Sequence, residues 1–185
     1  MGKLFQYFPK IKLRSGFEGV VVTVERRAST SLAIKIYRKS VVTTWLNSVL
    51  SKDLVVPKGV WPVAHREKTI LEKLSLFDIC PRPIFAKGRV LVMEYAGEAL
   101  DKIKEKNLTG LQVQADGIFN ILKESEVNHN DIKLGNLIVD GLGTLRIIDF
   151  TLADDRDFAV SALDPNPAWG RFLADNALLN LSKLE

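Results

Sequence analysis

Cysteine, histidine and long apolar runs are scarce in this chain, and each scarcity excludes a class of protein. The 185 residues contain one cysteine, Cys80, and two histidines, His65 and His129. One thiol cannot form a disulfide within the chain, and a zinc site built from Cys and His lacks enough ligands. No run approaches the roughly 18 to 20 apolar residues needed to cross a membrane, and the amino terminus lacks the apolar segment of a signal peptide. The sequence therefore predicts a cytoplasmic protein without a membrane span.

Charge is distributed unevenly along a chain that is 46% hydrophobic, which is enough to bury a substantial core. Residues 1–50 hold nine Lys and Arg against two acids, whereas residues 151–185 hold three against six. A basic amino-terminal region suits an anionic ligand such as a nucleotide, a nucleic acid or an anionic sugar. Solvated Lys and Arg on strands and loops would give the same composition.

Hydrophobic patterning predicts strands and helices in alternation. The predicted hairpins pair residues 20–24 with 31–37, 83–86 with 90–95, and 137–139 with 145–148. A helix is predicted from Ala64 onward, because Glu67, Ile70, Leu71 and Leu74 recur on one helical face. Further helices are predicted at 110–126, at 157–163 and around Trp169, and residues 39–61 are left unassigned.

A polar set stands at one end of the third predicted hairpin. Residues 129–136 read HNDIKLGN, and Asp149 follows the second strand. This segment resembles the catalytic loop H-x-D-x-K-x-x-N of Ser/Thr protein kinases. The resemblance implies that Asp131 is the catalytic base, that Lys133 stabilises the transferred phosphoryl group, and that Asn136 and Asp149 bind Mg²⁺.

Upstream segments resemble the nucleotide-binding motifs of the same superfamily. The LAIK run at 32–35 is similar to the strand whose lysine contacts nucleotide phosphates, so Lys35 is expected to pair with Glu67, with Glu72 as the alternative. The run at 16–21 resembles the second half of the glycine-rich loop, and the run at 92–95 resembles the passage to the hinge. The implied nucleotide contacts are Gly16, Gly19, Val21, Ala33, Lys35, Met93 as gatekeeper, the backbone of Glu94 and Ala96, and Glu98 near the ribose.

Together these motifs imply an α+β, two-lobed protein-kinase-like fold. Residues 1–96 would form an amino-terminal lobe with an antiparallel sheet and one main helix, and residues 97–185 a short, mainly helical carboxy-terminal lobe. The region after Phe150 is too short for peptide-binding helices, and Thr151 replaces the usual glycine. In this the chain resembles reduced atypical kinases: the Rio family, the small kinase of the tRNA threonylcarbamoyladenosine complex, and lipopolysaccharide kinases.

The expected activity is that of a Ser/Thr protein-kinase-like phosphotransferase that uses ATP with Mg²⁺ or Mn²⁺ and acts on a protein substrate or complex partner. Two alternatives stay open. One is a small-molecule kinase of the lipopolysaccharide-sugar or aminoglycoside type. The chain resembles these kinases in the run IYR at the end of a predicted strand, residues 36–38. The other is a nucleotide-binding regulatory subunit without transferase activity, which the incomplete glycine-rich loop and Thr151 would suit.

Overall fold

The computed structural model of the chain describes residues 10–15, 19–25, 31–39, 55, 57–103 and 110–155. The predicted helices at 157–163 and around Trp169, and most of 39–61, lie outside these residues. The strands are β1 (Lys10–Ser15), β2 (Gly19–Glu25), β3 (Leu32–Tyr37), β4 (Pro83–Lys87), β5 (Val90–Glu94), β6 (Glu98–Ala99), β7 (Val127–Asn128), β8 (Leu137–Val139), β9 (Leu145–Ile147) and β10 (Asp154–Asp155). The α-helices are α1 (Pro62–Leu74) and α2 (Leu111–Glu124), and 3₁₀ turns cover Ser75–Phe77, Leu100–Lys102, Leu134–Asn136 and Phe150–Leu152.

The chain divides into two compact units, which we call unit one (1–68 and 82–95) and unit two (69–81 and 96–185). The predicted α+β class is confirmed, because an antiparallel five-stranded sheet occurs together with α-helices. The assignment of 1–96 and 97–185 as lobes of one kinase-like domain stays a prediction. No helix in the described part of the chain is long and apolar enough to cross a membrane.

Unit one contains the sheet, in the order β1-β2-β3-β5-β4. The two predicted hairpins in this region are confirmed by the pairing of β2 with β3 and of β4 with β5. Side chains alternate across a pleated strand, so Ala33, Lys35 and Tyr37 on β3 point to the same side, and all three are buried. Strand β1 was not predicted. Its apolar residues, Ile11 and Leu13, are exposed, and basic residues alternate with them.

Unit two is built around α2 and the three-stranded sheet β6-β8-β9. Both the helix and the hairpin of β8 and β9 are confirmed. The buried stripe of α2 consists of Leu111, Ala115, Ile118, Phe119 and Leu122. Gly97 has a φ of 130°, and a Cβ there would lie 2.2 Å from the Val139 carbonyl oxygen. Only glycine fits this approach, which brings residues 97–99 alongside β8.

Candidate active site

In unit one, a buried ion pair joins the sheet to α1. Lys35 Nζ lies 3.2 Å from Glu67 Oε1 and 2.9 Å from Oε2, and only 6% of Lys35 and 1% of Glu67 are exposed. The Tyr37 hydroxyl donates a hydrogen bond to the same Oε2. The Lys35 ammonium also lies 5.1 Å from the centre of the Tyr37 ring. Glu67 therefore accepts hydrogen bonds from two residues of one strand.

The local sequence explains this cluster. Lys35 and Tyr37 are two residues apart on β3, so they share its inner face, and Glu67 lies on the buried stripe of α1 with Ile70 and Leu71. The expected Lys35–Glu67 pairing is present in the structure, whereas nothing in the motif match suggested a role for Tyr37. The available signal in the sequence was that Tyr37 is two residues from Lys35 on one strand, which places both side chains on the same face of the sheet.

The residues proposed to contact the nucleotide base lie on the same face of the sheet. Val21 is opposite Lys35 in register, and Ala33 is opposite Met93. Ala33 and Met93 are buried and Val21 is half-buried. Glu94, at the end of β5, forms an ion pair with Arg82, with 3.1 Å between Oε1 and Nη2.

Of the two loop glycines, Gly16 lies outside the described residues and Gly19 begins β2. A Cβ on Gly19 would lie 2.2 Å from the Ile36 carbonyl oxygen, so any side chain would push β2 away from β3. Ala96 and Glu98 belong to unit two, where Glu98 is exposed and pairs with Val139 between β6 and β8. Their proposed nucleotide contacts stay predictions.

Also in unit two, the loop before β8 brings together two of the proposed catalytic side chains, Asp131 and Lys133, and the proposed metal ligand Asn136. Lys133 Nζ lies 2.5 Å from Asp131 Oδ2. The Asn136 amide nitrogen donates to the same Oδ2 at 3.0 Å and to the Asp131 carbonyl oxygen at 2.8 Å. The Asp131 carboxylate is therefore oriented from two sides, and the two bonds from Asn136 Nδ2 also orient its amide oxygen.

His129 and Asn130 fix this loop to the segment around Asp149. His129 Nδ1 accepts a hydrogen bond from the Asp131 backbone N–H at 3.3 Å, and Nε2 lies 2.9 Å from the Ile148 carbonyl oxygen. One ring nitrogen accepts and the other donates, as in a neutral imidazole. Asn130 is in the left-handed conformation with a φ of 62°, and its amide donates to the Leu152 carbonyl oxygen at 3.0 Å. Asn130 thus links the loop to the chain beyond Asp149.

Asp149 stands one residue past the rung where the Ile148 N–H donates to the Asn136 carbonyl oxygen at 2.9 Å. Its φ of 69° is unusual for a residue with a side chain. Thr151 donates from Oγ1 to Asp149 Oδ1 at 2.9 Å. The threonine that replaces glycine therefore supports the carboxylate, a role that the sequence did not suggest.

The donor set at this end of the β8–β9 hairpin fits magnesium. Mg²⁺ is commonly held by one or two carboxylates with substrate phosphates, and here the Asp149 carboxylate and the Asn136 amide oxygen are the candidate ligands. Within the described ranges, no group of three His, Cys, Asp or Glu residues is arranged to hold a metal. At such sites Mg²⁺ usually completes its coordination with waters and substrate phosphates.

A second polar network is centred on Arg146 of β9. Arg146 Nη2 is 3.0 Å from Asp78 Oδ2, and Arg146 Nη1 is 2.9 Å from Asp140 Oδ2. Partial burial alone would raise the pKa of Asp140, but hydrogen bonds from the Thr144 N–H, Arg146 and the Leu142 N–H outweigh it and lower that pKa. Burial, with a smaller contribution from Asp78, raises the pKa of the Cys80 thiol to about 12, which leaves it unreactive near neutral pH.

These features define a class. Two features are typical of the protein-kinase-like superfamily. One is a lysine on an antiparallel sheet that pairs with a helical glutamate. The other is a loop that carries Asp131, Lys133 and Asn136 before a hairpin that ends at Asp149. Residues 55–159 match the family model described as the RIO domain. The match covers more than half of the chain, so this chain belongs to the RIO domain family, an atypical branch of that superfamily.

A similarity to a longer protein agrees with this class. The chain is 26% identical over 156 residues to protein kinase C, eye isozyme, of Drosophila melanogaster. The alignment covers 80% of this chain but 21% of that protein. The chain thus spans about a fifth of the length of this relative.

Proposed function

We propose that this protein is an ATP-dependent phosphotransferase of the atypical kinase type, with Asp131 as the catalytic base. The proposal rests on the convergence of three neighbouring side chains on Asp131. Lys133 and Asn136 both contact its Oδ2, and His129 holds its backbone. A carboxylate fixed beside a cation is suited to accept the proton of an attacking hydroxyl while negative charge develops on the phosphoryl group.

The proposed reaction balances without a further reactant. The acceptor hydroxyl oxygen bonds to the γ-phosphorus of ATP as the bond from that phosphorus to the bridging oxygen of ADP breaks. The hydroxyl proton passes to the Asp131 carboxylate. Lys133 is the candidate to neutralise charge on the moving phosphoryl group, and Lys35, held by Glu67, is the candidate for the other nucleotide phosphates.

Magnesium, or manganese in its place, supplies charge neutralisation on the phosphates when bound. Asn136 and Asp149 are the residues that would hold it, and Thr151 keeps the Asp149 carboxylate oriented. Val21, Ala33 and Met93 offer an apolar, partly buried surface to the adenine base. The resemblance to kinases implies these assignments, and donor chemistry and the shared face of the sheet support them.

A seryl or threonyl hydroxyl of a protein is the acceptor that we favour, because Lys133 lies between Asp131 and Asn136 as in Ser/Thr protein kinases. The test is incubation of the pure protein with γ-labelled ATP and Mg²⁺ or Mn²⁺, with and without a general protein substrate and a set of sugars. Label is then measured in protein, sugar and free phosphate. We expect label in protein from the wild type and almost none from Asp131→Ala or Asp149→Ala.

The matched control is Asp116→Ala, which removes an exposed aspartate on α2 that accepts a hydrogen bond from Gln112. It should label protein as the wild type does. Label confined to a sugar would favour the small-molecule kinase instead. Thermal stabilisation by ATP without transfer to any acceptor would favour the regulatory subunit. Transfer that is unchanged in Asp131→Ala would contradict the proposed base.

A further inference from the structure

Six exposed cations gather at one end of the five-stranded sheet of unit one. The last rung that spans all five strands at this end runs in register through Ser15, Val20, Ile36, Val90 and Lys87. The cations on or beside this rung are Arg14, Arg38, Lys39, Lys58, Lys87 and Arg89, and all six are exposed. We call this set the basic rim.

Backbone and side-chain hydrogen bonds hold the rim together. Arg38 Nη2 donates to Ser15 Oγ at 2.6 Å, so the end of β3 is tied to the end of β1. The Tyr37 N–H donates to the Arg89 carbonyl oxygen at 2.9 Å. The turn that carries Lys58 joins the rim because the Gly88 N–H donates to the Gly59 carbonyl oxygen at 2.7 Å. The charges therefore lie on a connected scaffold.

Acidic residues are few in this unit. Unit one contains sixteen Lys and Arg against five Asp and Glu, whereas unit two contains ten against seventeen. Three acids of unit one fall in its described residues. Glu25 and Glu94 are at the opposite end of the sheet from the rim, and Glu67 is buried against Lys35. The net charge of +4 for the chain thus conceals a strongly basic unit. Six of the Lys and Arg that the structure describes in this unit lie at one end of its sheet.

We propose that the basic rim binds the sugar–phosphate backbone of a single-stranded nucleic acid. The core of a protein–protein interface is depleted of charged residues, whereas all six rim residues are cations. A phosphate backbone is bound by charge alone. The rim crosses five strands, about 19 Å at the usual strand spacing of about 4.8 Å, which accommodates several consecutive phosphates. The six rim residues lie on strand ends and turns, and none of them belongs to a helix that could enter a duplex groove.

The test is fluorescence anisotropy of a labelled 20-nucleotide oligouridylate, titrated with the full chain in 50 to 200 mM salt without ATP or metal. The rim variant is Lys58→Glu with Lys87→Glu. The control variant is Lys102→Glu with Lys123→Glu, which makes the same change in net charge at exposed lysines of unit two. Thermal unfolding of both variants establishes that they are folded.

We expect the rim variant to bind about tenfold or more weakly than the wild type and the control to change by less than about threefold. The slope of log affinity against log salt should fall in magnitude by about 1.4 in the rim variant, since each phosphate contact contributes about 0.7 for single strands. Equal losses in the two variants, or no binding at 50 mM salt, would overturn the proposal. Tighter binding of a labelled polyglutamate peptide than of the oligonucleotide would overturn it in favour of an acidic protein partner. The readout is independent of the proposed phosphotransferase, because no ATP is present.

Discussion

The two units hold their polar clusters in opposite ways. In unit one, Lys35, Tyr37 and Glu67 are almost fully buried, and their side chains contact each other between a regular strand and a regular helix. In unit two, the Lys133 and Asp131 side chains are 58% and 32% exposed, and the loop is held largely by hydrogen bonds to backbone atoms. A buried ion pair costs much when one partner is removed, whereas an exposed pair contributes little to stability. We therefore expect substitutions in unit one to affect folding most and those in unit two to affect chemistry most.

The largest effect on stability is expected from Glu67→Leu, which leaves the Lys35 ammonium buried without its carboxylate. The free energy of unfolding should fall by about 3–5 kcal/mol, measured by urea denaturation. The double variant Lys35→Met with Glu67→Leu is the control, because replacing both charges with apolar groups recovers most of the loss. A double variant as unstable as the single one would mean that the cost lies in packing.

A smaller loss is expected from Tyr37→Phe, which removes one buried hydrogen bond to Glu67 and keeps the ring beside Lys35. The free energy of unfolding should fall by about 1–3 kcal/mol. Combining this change with Glu67→Leu should cost little more than Glu67→Leu alone, since both act on one network. Fully additive losses would show that the hydroxyl stabilises the unit by another route.

In unit two, Asp131→Asn should change stability by less than about 1 kcal/mol, because the ion pair to Lys133 is solvated. Urea denaturation of Asp131→Asn and of Glu67→Leu under the same conditions measures the difference between their losses of stability. A loss as large as that of Glu67→Leu would break the contrast between the two units.

A functional effect with little loss of stability is expected from Thr151→Val. This change removes the hydroxyl that donates to Asp149 and conserves the shape of the side chain. We expect a several-fold rise in the Mg²⁺ concentration that gives half-maximal phosphotransfer, with recovery in Thr151→Ser. The measurement is a Mg²⁺ titration of initial rates at fixed ATP. Equal behaviour of the valine and serine variants would exclude the hydroxyl as the cause.

The smallest effect concerns the Arg146 network and depends on pH. The pKa of Asp140 is lower in the folded protein than its usual value of about 3.9. The stability that Asp140 contributes is therefore complete above that value and is lost as the pH falls through the lower folded-state pKa. In urea denaturation from pH 6 to pH 3, the difference between the wild type and Asp140→Asn should be constant at first and shrink near pH 3. A difference that grows on acidification would contradict the shift.

Local patterns predicted the elements, and contacts distant in sequence were the part that they missed. The stripe of Glu67, Ile70, Leu71 and Leu74 predicted α1, because helical periodicity is a local property. Strand β1 was not predicted, although the alternation of Ile11 and Leu13 with cations is the period-2 pattern of a strand.

The same limit applies to the candidate site. The spacing of Asp131, Lys133 and Asn136 predicted a loop in which they meet, and the three are in contact. The hydrogen bond from Asn130 to Leu152 spans 22 residues, and the bond from Tyr37 to Glu67 spans 30. Thr151 is only two residues from Asp149, but the kinase motif has glycine at this position. The resemblance therefore did not indicate that the Thr151 hydroxyl donates to the Asp149 carboxylate.

In the proposed reaction, Asp131 accepts the proton of the acceptor hydroxyl. The most direct measurement is the single-turnover rate of phosphoryl transfer at saturating ATP and Mg²⁺, for the wild type and Asp131→Asn, with ATP affinity measured separately. We expect a rate about 10²- to 10⁴-fold lower in the variant, with ATP affinity nearly unchanged. A variant rate within about twofold of the wild type would mean that Asp131 is not the base.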